Sequence, residues 1–312
     1  MRQNRPRNLC NLIVICLFFC ILSGCASQNQ LSSNKVNQTA YDIAQLNHFQ
    51  KQLIKTNPFM LTTFQKFSTS PSTSNTNHTI NQTLTIYIEG DGRTWITRSK
   101  LSNNPTPKNP LALKLAVLDN SANVAYLARP CQYTPHSLDS ACNPLVWSDQ
   151  RFSETVIQSM NEAVENLKKS AKARQIHLVG FSGGGAIAIL IAARRNDIAS
   201  LRTVAGDLNP TALSQYHQTS PLTSSLDPNT RTVIQKLIHL PQQHFSGEKD
   251  KTVPPFIAEE FVARLRKLGS PCTSQTTIKD ATHHQGWEAI WPTLLDKPLG
   301  TSDGCQKNNV SF

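Results

Sequence analysis

Short apolar segments alternate with helix-type segments through most of this chain, and that alternation limits its fold more than any other feature. Strand-type runs occur at Leu84 to Ile88, Val124 to Leu127, Ile176 to Val179, Leu201 to Ala205, around His244 to Ser246, and at Ser274 to Ile278. Helix-type runs lie near Leu111 to Leu118, from about Ser153 to Ala173, after Ser182, from Pro255 to Leu268, and near Trp287. Apolar strands separated by helices pack as a mostly parallel sheet covered on both faces. The pattern predicts one α/β domain over 41–312. Upstream, "NPFMLTTFQKF" and "LTIYIEG" have strand composition and flank a polar stretch at 68–83, which predicts a hairpin with a long, mobile connection. The segment 207–240 interrupts the alternation with Pro210, Pro221 and Pro228. It is either a cap over the site or a surface excursion packed on one end of the sheet.

The N-terminus has a different character. Arg2, Arg5 and Arg7 precede an almost continuous apolar run from Leu9 to Leu22, shorter than the roughly 20 residues of a spanning helix. Residues 1–24 therefore read as an export signal. Leu22-Ser23-Gly24-Cys25 resembles the lipobox of bacterial lipoproteins, which implies cleavage before Cys25 and acylation of its thiol. Ala26 at the following position resembles the pattern of lipoproteins sent to an outer membrane, so the expected location is its periplasmic face where the cell has one. Residues 25–40 are polar and aperiodic and read as a flexible tether.

The full chain carries a net charge of +11, with 31 Lys and Arg against 20 Asp and Glu. No run of five bases and no basic stripe interleaved with aromatics occurs, so nucleic acid is not an expected partner. Attraction to anionic headgroups fits a tethered basic protein. Once the signal and Cys25 are set aside, Cys131, Cys142, Cys272 and Cys305 remain. An even number in an exported chain suggests disulfides, and sequence distance favours Cys131 with Cys142 and Cys272 with Cys305. No C-x-x-C spacing suggests zinc, and no phosphate-binding glycine loop follows a strand, so neither metal nor cofactor is expected.

Chemistry is expected just after the strands, where open α/β sheets place their ligands. Gly180-Phe181-Ser182-Gly183-Gly184 sits where strand becomes helix. Asp250 follows a later strand in "SGEKDKTVPP", and His283 follows the last in "THHQGW". A serine hydroxyl needs an imidazole to take its proton, and the imidazole needs a carboxylate to fix its tautomer. The order Ser182, Asp250, His283 is that of the α/β-hydrolase fold. Asp207, after the preceding strand, is the alternative acid, and His284 is the alternative base.

Glu89-Gly90-Asp91-Gly92 resembles the His-Gly-x-Gly oxyanion loop of that fold, with Glu89 in place of His. The match implies the backbone N–H groups of Gly183 and Asp91 as oxyanion donors, with the Glu89 and Asp91 side chains turned away and held by Arg93 or another base. Arg129, in "YLARPCQY", is either a binder of substrate anions or the partner of one of these acids. Together with "TVAGDLNP", these motifs resemble a bacterial lipoprotein group of α/β-hydrolases over about residues 58–292. The resemblance implies a serine hydrolase acting on a small-molecule or lipid ester, with thioester or amide cleavage as variants. The rival from another class is a catalytically silent envelope lipoprotein that binds a ligand or partner in the same pocket.

The lipobox yields a direct expectation. Radiolabelled palmitate should enter the wild-type protein and not Cys25→Ala, and equal labelling of the two would remove the anchor.

Overall fold

A computed structural model describes residues 38–68, 83–97 and 99–299. The expected signal segment and Cys25, most of the expected tether, and Cys305 lie outside these residues. A first helix, α1 (residues 38–46), precedes an eight-stranded sheet. The strands are β1 (Gln50–Lys55), β2 (Met60–Phe67), β3 (Thr83–Ile88), β4 (Asn123–Leu127), β5 (Gln175–Phe181), β6 (Ile198–Val204), β7 (Gln242–Gly247) and β8 (Thr273–Ile278). They lie in the order β1-β2-β4-β3-β5-β6-β7-β8. Every pair from β4 to β8 is parallel, and β1 and β2 join antiparallel at one edge.

The expected hairpin between the two early strand-type segments does not form. β2 pairs antiparallel with β1 and β4, while β3 lies on the far side of β4. Both segments are strands, but the polar stretch between them is a crossover and not a hairpin turn. Its residues 69–82 lie outside the description. The helix 38–46 also begins inside the stretch taken as tether, and it buries Ala40 and Ala44 against the sheet.

Helices cover both faces. α2 (Leu111–Val117) and α8 (Trp291–Leu295) share one apolar cluster with Tyr87, Val179 and Phe245. On the other face α3 (Glu154–Ser170), α4 (Gly183–Ala192) and α7 (Phe256–Lys267) pack over Leu84, Ile86, Leu178 and Leu201. Alternate residues of one strand serve the two clusters, as the two-residue period of a strand requires. Ser153 caps α3 by accepting from the Val156 N–H. α4 is apolar on all sides and wholly buried, which fits its central position.

Within 207–240, α5 (Pro210–Tyr216) and α6 (Arg231–Lys236) form a packed insertion between β6 and β7, with Leu208, Ile234 and Leu237 buried in the core.

The loop after β4 is closed by a disulfide between Cys131 and Cys142, with Cα atoms 5.6 Å apart. Cys272 is also disulfide-bonded. Its expected pairing with Cys305 involves a residue outside the description. Replacing both Cys131 and Cys142 with Ser should lower the unfolding free energy by about 3 kcal/mol, the loop-closure value for so short a loop. Urea denaturation without reductant measures it, and an unchanged midpoint would show that packing alone closes the loop.

Candidate active site

The turn from β5 to α4 holds Ser182 at φ 51° and ψ −124°, a strained conformation for a residue with a side chain. The turn is tight because backbone crosses backbone. A Cβ at Gly180 would strike the Gly184 backbone, and one at Gly184 would strike the Ile88 and Glu89 carbonyls. Only glycine fits at these two positions, and the bend they permit presents the Ser182 side chain beyond the sheet edge.

His283 Nε2 lies 3.0 Å from Ser182 Oγ, and His283 Nδ1 lies 2.8 Å from Asp250 Oδ2. Asp250 is buried and its second oxygen accepts the N–H groups of Thr252 and Val253 at 2.8 and 2.9 Å. The turn after β7 thus fixes one carboxylate oxygen and leaves the other for the imidazole. That pairing makes Nδ1 the donor and Nε2 the acceptor for the serine proton.

The histidine loop is held in its turn. The Trp287 indole N–H donates to the Thr282 carbonyl at 2.8 Å, and Trp287 is fully buried. The acid loop joins it where the Lys249 N–H meets the Ala281 carbonyl at 2.8 Å.

The alternatives are placed elsewhere. His284 is exposed, and its ring stands edge-on to that of His283 with centroids 4.8 Å apart. Asp280, the other acid close to His283 in sequence, pairs with Lys249 at the surface. Asp207 is buried, and its Oδ2 lies 3.7 Å from Arg151 Nη2.

The loop after β3 passes directly against the serine. A Cβ on Gly90 would come 3.0 Å from the Ser182 Cβ, and a Cβ on Gly183 would collide with the Asp91 carboxylate. Gly183 opens α4, so its N–H has no acceptor within its own helix. The Asp91 carboxylate is taken by Arg129 and by Arg151, whose Nε is 3.2 Å from Oδ2. Of the bases expected there, Arg129 rather than Arg93 holds it, and the Arg93 side chain is exposed.

Burial pushes the Asp91 carboxyl up, but the two guanidinium charges outweigh it and the net shift is downward. Among the described residues no basic side chain lies at hydrogen-bond distance from Glu89. It accepts the Gly90 N–H at 2.9 Å, and burial raises it to about 7.

Arg129 is committed to structure. It is buried, pairs with Asp91, and donates to the Arg151 carbonyl at 2.6 Å. Its motif braces the early loop: the Gln132 side-chain amide donates to the Gly90 carbonyl at 3.0 Å while its oxygen accepts the Arg129 N–H.

A cavity of about 620 Å³ opens over Ser182 and His283, and a second of about 820 Å³ adjoins it. Trp95, Arg151 and His217 line both, so the insertion carrying α5 supplies one wall. Arg151 and His217 were not singled out in the sequence. Neither lies in a motif, and each reaches the site only because the chain brings it there. Among the described residues no cluster of His, Cys, Asp and Glu could hold a metal ion, and no helix is long and apolar enough to cross a membrane.

No protein-family model and no curated protein matches the chain. Solved structures share its architecture. An alpha-beta serine hydrolase homologue from Coxiella burnetii aligns with TM-score 0.50 at 13% identity, over 78% of this chain and 93% of that one. Est1E from Butyrivibrio proteoclasticus aligns with TM-score 0.50 at 16% identity, over 78% and 97%. The protein lip1 from Acinetobacter baumannii AYE aligns with TM-score 0.53 at 15% identity, over 85% and 93%. The chain has the α/β-hydrolase fold, with its mostly parallel central sheet and helices on both faces.

Burial raises the Asp207 carboxyl to about 7, against the smaller pull of Arg151. A folded-state value above the unfolded one means that the native protein holds the extra proton. The associated stability is fully present below about pH 4 and is lost as pH rises through about 7. Asp207→Asn cannot ionise, so its melting temperature should fall less than that of the wild type between pH 5 and pH 8. Equal declines would show that Asp207 is already ionised in the acidic range.

Proposed function

We propose that this protein is a serine hydrolase that cleaves a carboxylic ester or related acyl bond through an acyl-enzyme on Ser182. The observation that carries the proposal is the continuous hydrogen-bonded row from Ser182 through His283 to Asp250. It stands beside a strained serine turn in a cavity large enough for a small ester.

In this mechanism Ser182 Oγ attacks the ester carbonyl carbon while its proton passes to His283 Nε2. The imidazolium is stabilised by Asp250 and returns the proton to the departing alkoxide. Water then attacks the acyl-enzyme with its proton again taken by His283, and Ser182 is released with the acid product. The N–H groups of Gly183 and Asp91 receive the developing oxyanion, and the positive end of α4 adds to their field. With Arg129 and Arg151 neutralising Asp91, its carboxylate imposes little repulsion on that oxyanion.

The proposal extends to the cell envelope. Cys25 would carry lipid and hold the domain at a membrane, on the periplasmic face where an outer membrane exists. The lipobox resemblance and the polar segment after it support this placement.

Labelling with a fluorophosphonate probe separates the enzyme from a silent binding protein. Ser182→Ala should abolish both labelling and hydrolysis of p-nitrophenyl esters. Asp250→Asn should keep the fold and lower the rate by up to roughly 10⁴-fold, because the imidazole takes the wrong tautomer. Asp207→Asn and a substitution of His284 should each cost far less. Labelling retained in Ser182→Ala would remove the nucleophile, and a larger loss in Asp207→Asn than in Asp250→Asn would reassign the acid.

A further inference from the structure

The rim of the cavity displays apolar side chains that ester cleavage does not require. Trp95 and Ile96 are 49% and 44% exposed, at the start of a short turn closed by a bridge between Trp95 and Leu101. The Ile96 N–H donates to the Lys100 carbonyl at 2.8 Å, so the turn is a built feature. Trp95 lines both cavities and therefore marks their mouth.

Along the chain the charge of this segment is of one sign, and Asp149, which lines the adjoining cavity with Trp95 and Ile96, already accepts from the N–H and hydroxyl of Thr223. Between Asp91 and Asp119 the sequence holds five Lys and Arg and no Asp or Glu. Of these, Arg93, Lys100 and Lys108 are exposed, and Arg93 and Lys108 line the cavity over Ser182.

An exposed Trp and Ile with three exposed bases on the same segment match the interfacial layer of a membrane, where an indole rests among headgroups and cations meet anionic lipid. We infer that this turn docks the cavity mouth onto an anionic phospholipid bilayer, so that an ester lipid reaches Ser182 directly from the lipid surface. The substrate class rests on the hydrolase reading, whereas the docking rests on the rim alone. Charge complementarity selects the partner, since a neutral bilayer would offer the three cations nothing.

Trp95 supplies its own probe. The chain has four tryptophans, and the other three, Trp147, Trp287 and Trp291, are buried. The full chain would be added to vesicles of phosphatidylglycerol with brominated phosphatidylcholine, and to vesicles of the brominated lipid alone. Fluorescence quenching should be strong with the anionic vesicles, weak with the neutral ones, and absent in Trp95→Phe. A variant combining Arg93→Gln, Lys100→Gln and Lys108→Gln should reduce the quenching several-fold at low salt.

The inference is overturned if the protein sediments with anionic vesicles while Trp95 stays unquenched and open to acrylamide, because attachment would then run through another part of the chain. It is equally overturned if no vesicle quenches Trp95. Shielding of Trp95 that grows with protein concentration in the absence of lipid would assign the turn to a second copy instead. Hydrolysis of a soluble p-nitrophenyl ester, assayed in parallel, reports the hydrolase reading separately: its absence from the wild type would remove that reading and leave the quenching result intact.

Discussion

Backbone approaches backbone so closely at the end of β5 that residues 180 and 184 can carry no side chain, and the rest of the site depends on that contact. It forces Ser182 to φ 51° and starts α4 immediately afterwards. It also sets the early loop against the serine, because the atoms that would obstruct a side chain at residue 184 are the carbonyls of Ile88 and Glu89. Strain of this type costs of order 1–3 kcal/mol and persists only where surrounding structure imposes it. Here the surroundings are the central strands β3, β5 and β6 and the wholly buried α4.

The parts of the site legible in the sequence are those written in one local stretch. Gly180-Phe181-Ser182-Gly183-Gly184 encodes its own turn. The stretch from Gly247 to Pro254 encodes a loop whose N–H groups bind one oxygen of Asp250. "THHQGW" contains both His283 and the Trp287 that ties the loop to Thr282. The alternation of strands and helices was legible for the same reason, since an apolar strand or an amphipathic helix shows its period within a few residues.

Partnership over distance was not legible. Strand composition marked β2 and β3 but carried no information on which neighbour each would choose, and nearness in sequence suggested a hairpin that β4 in fact separates. β1, "QKQLIK", is polar at four of its six positions because it lies at the sheet edge, and its composition does not mark it as a strand. Arg151 lies in the turn before α3, in a stretch with no motif. Its place between Asp91 and Asp207 is a product of the assembled fold.

Asp91, Arg129, Arg151 and Asp207 come from separate segments and solve a problem created by the site. A carboxylate beside the proposed oxyanion position would be unfavourable, and a buried guanidinium without a counter-charge is costly. Pairing Asp91 with both arginines settles each cost against the other, and Phe152 lies beneath both guanidinium groups at about 5 Å. With Asp91 serving both cations, Asp207 receives a contact at 3.7 Å, and among the described residues one of its oxygens is buried without a partner. That division explains why the two acids have opposite net shifts although burial raises both: two strong partners overcome it at Asp91, while one weak partner does not at Asp207. The same division separates Asp207 from Asp250, whose two oxygens are both engaged and whose position toward His283 is set by backbone donors on its own loop.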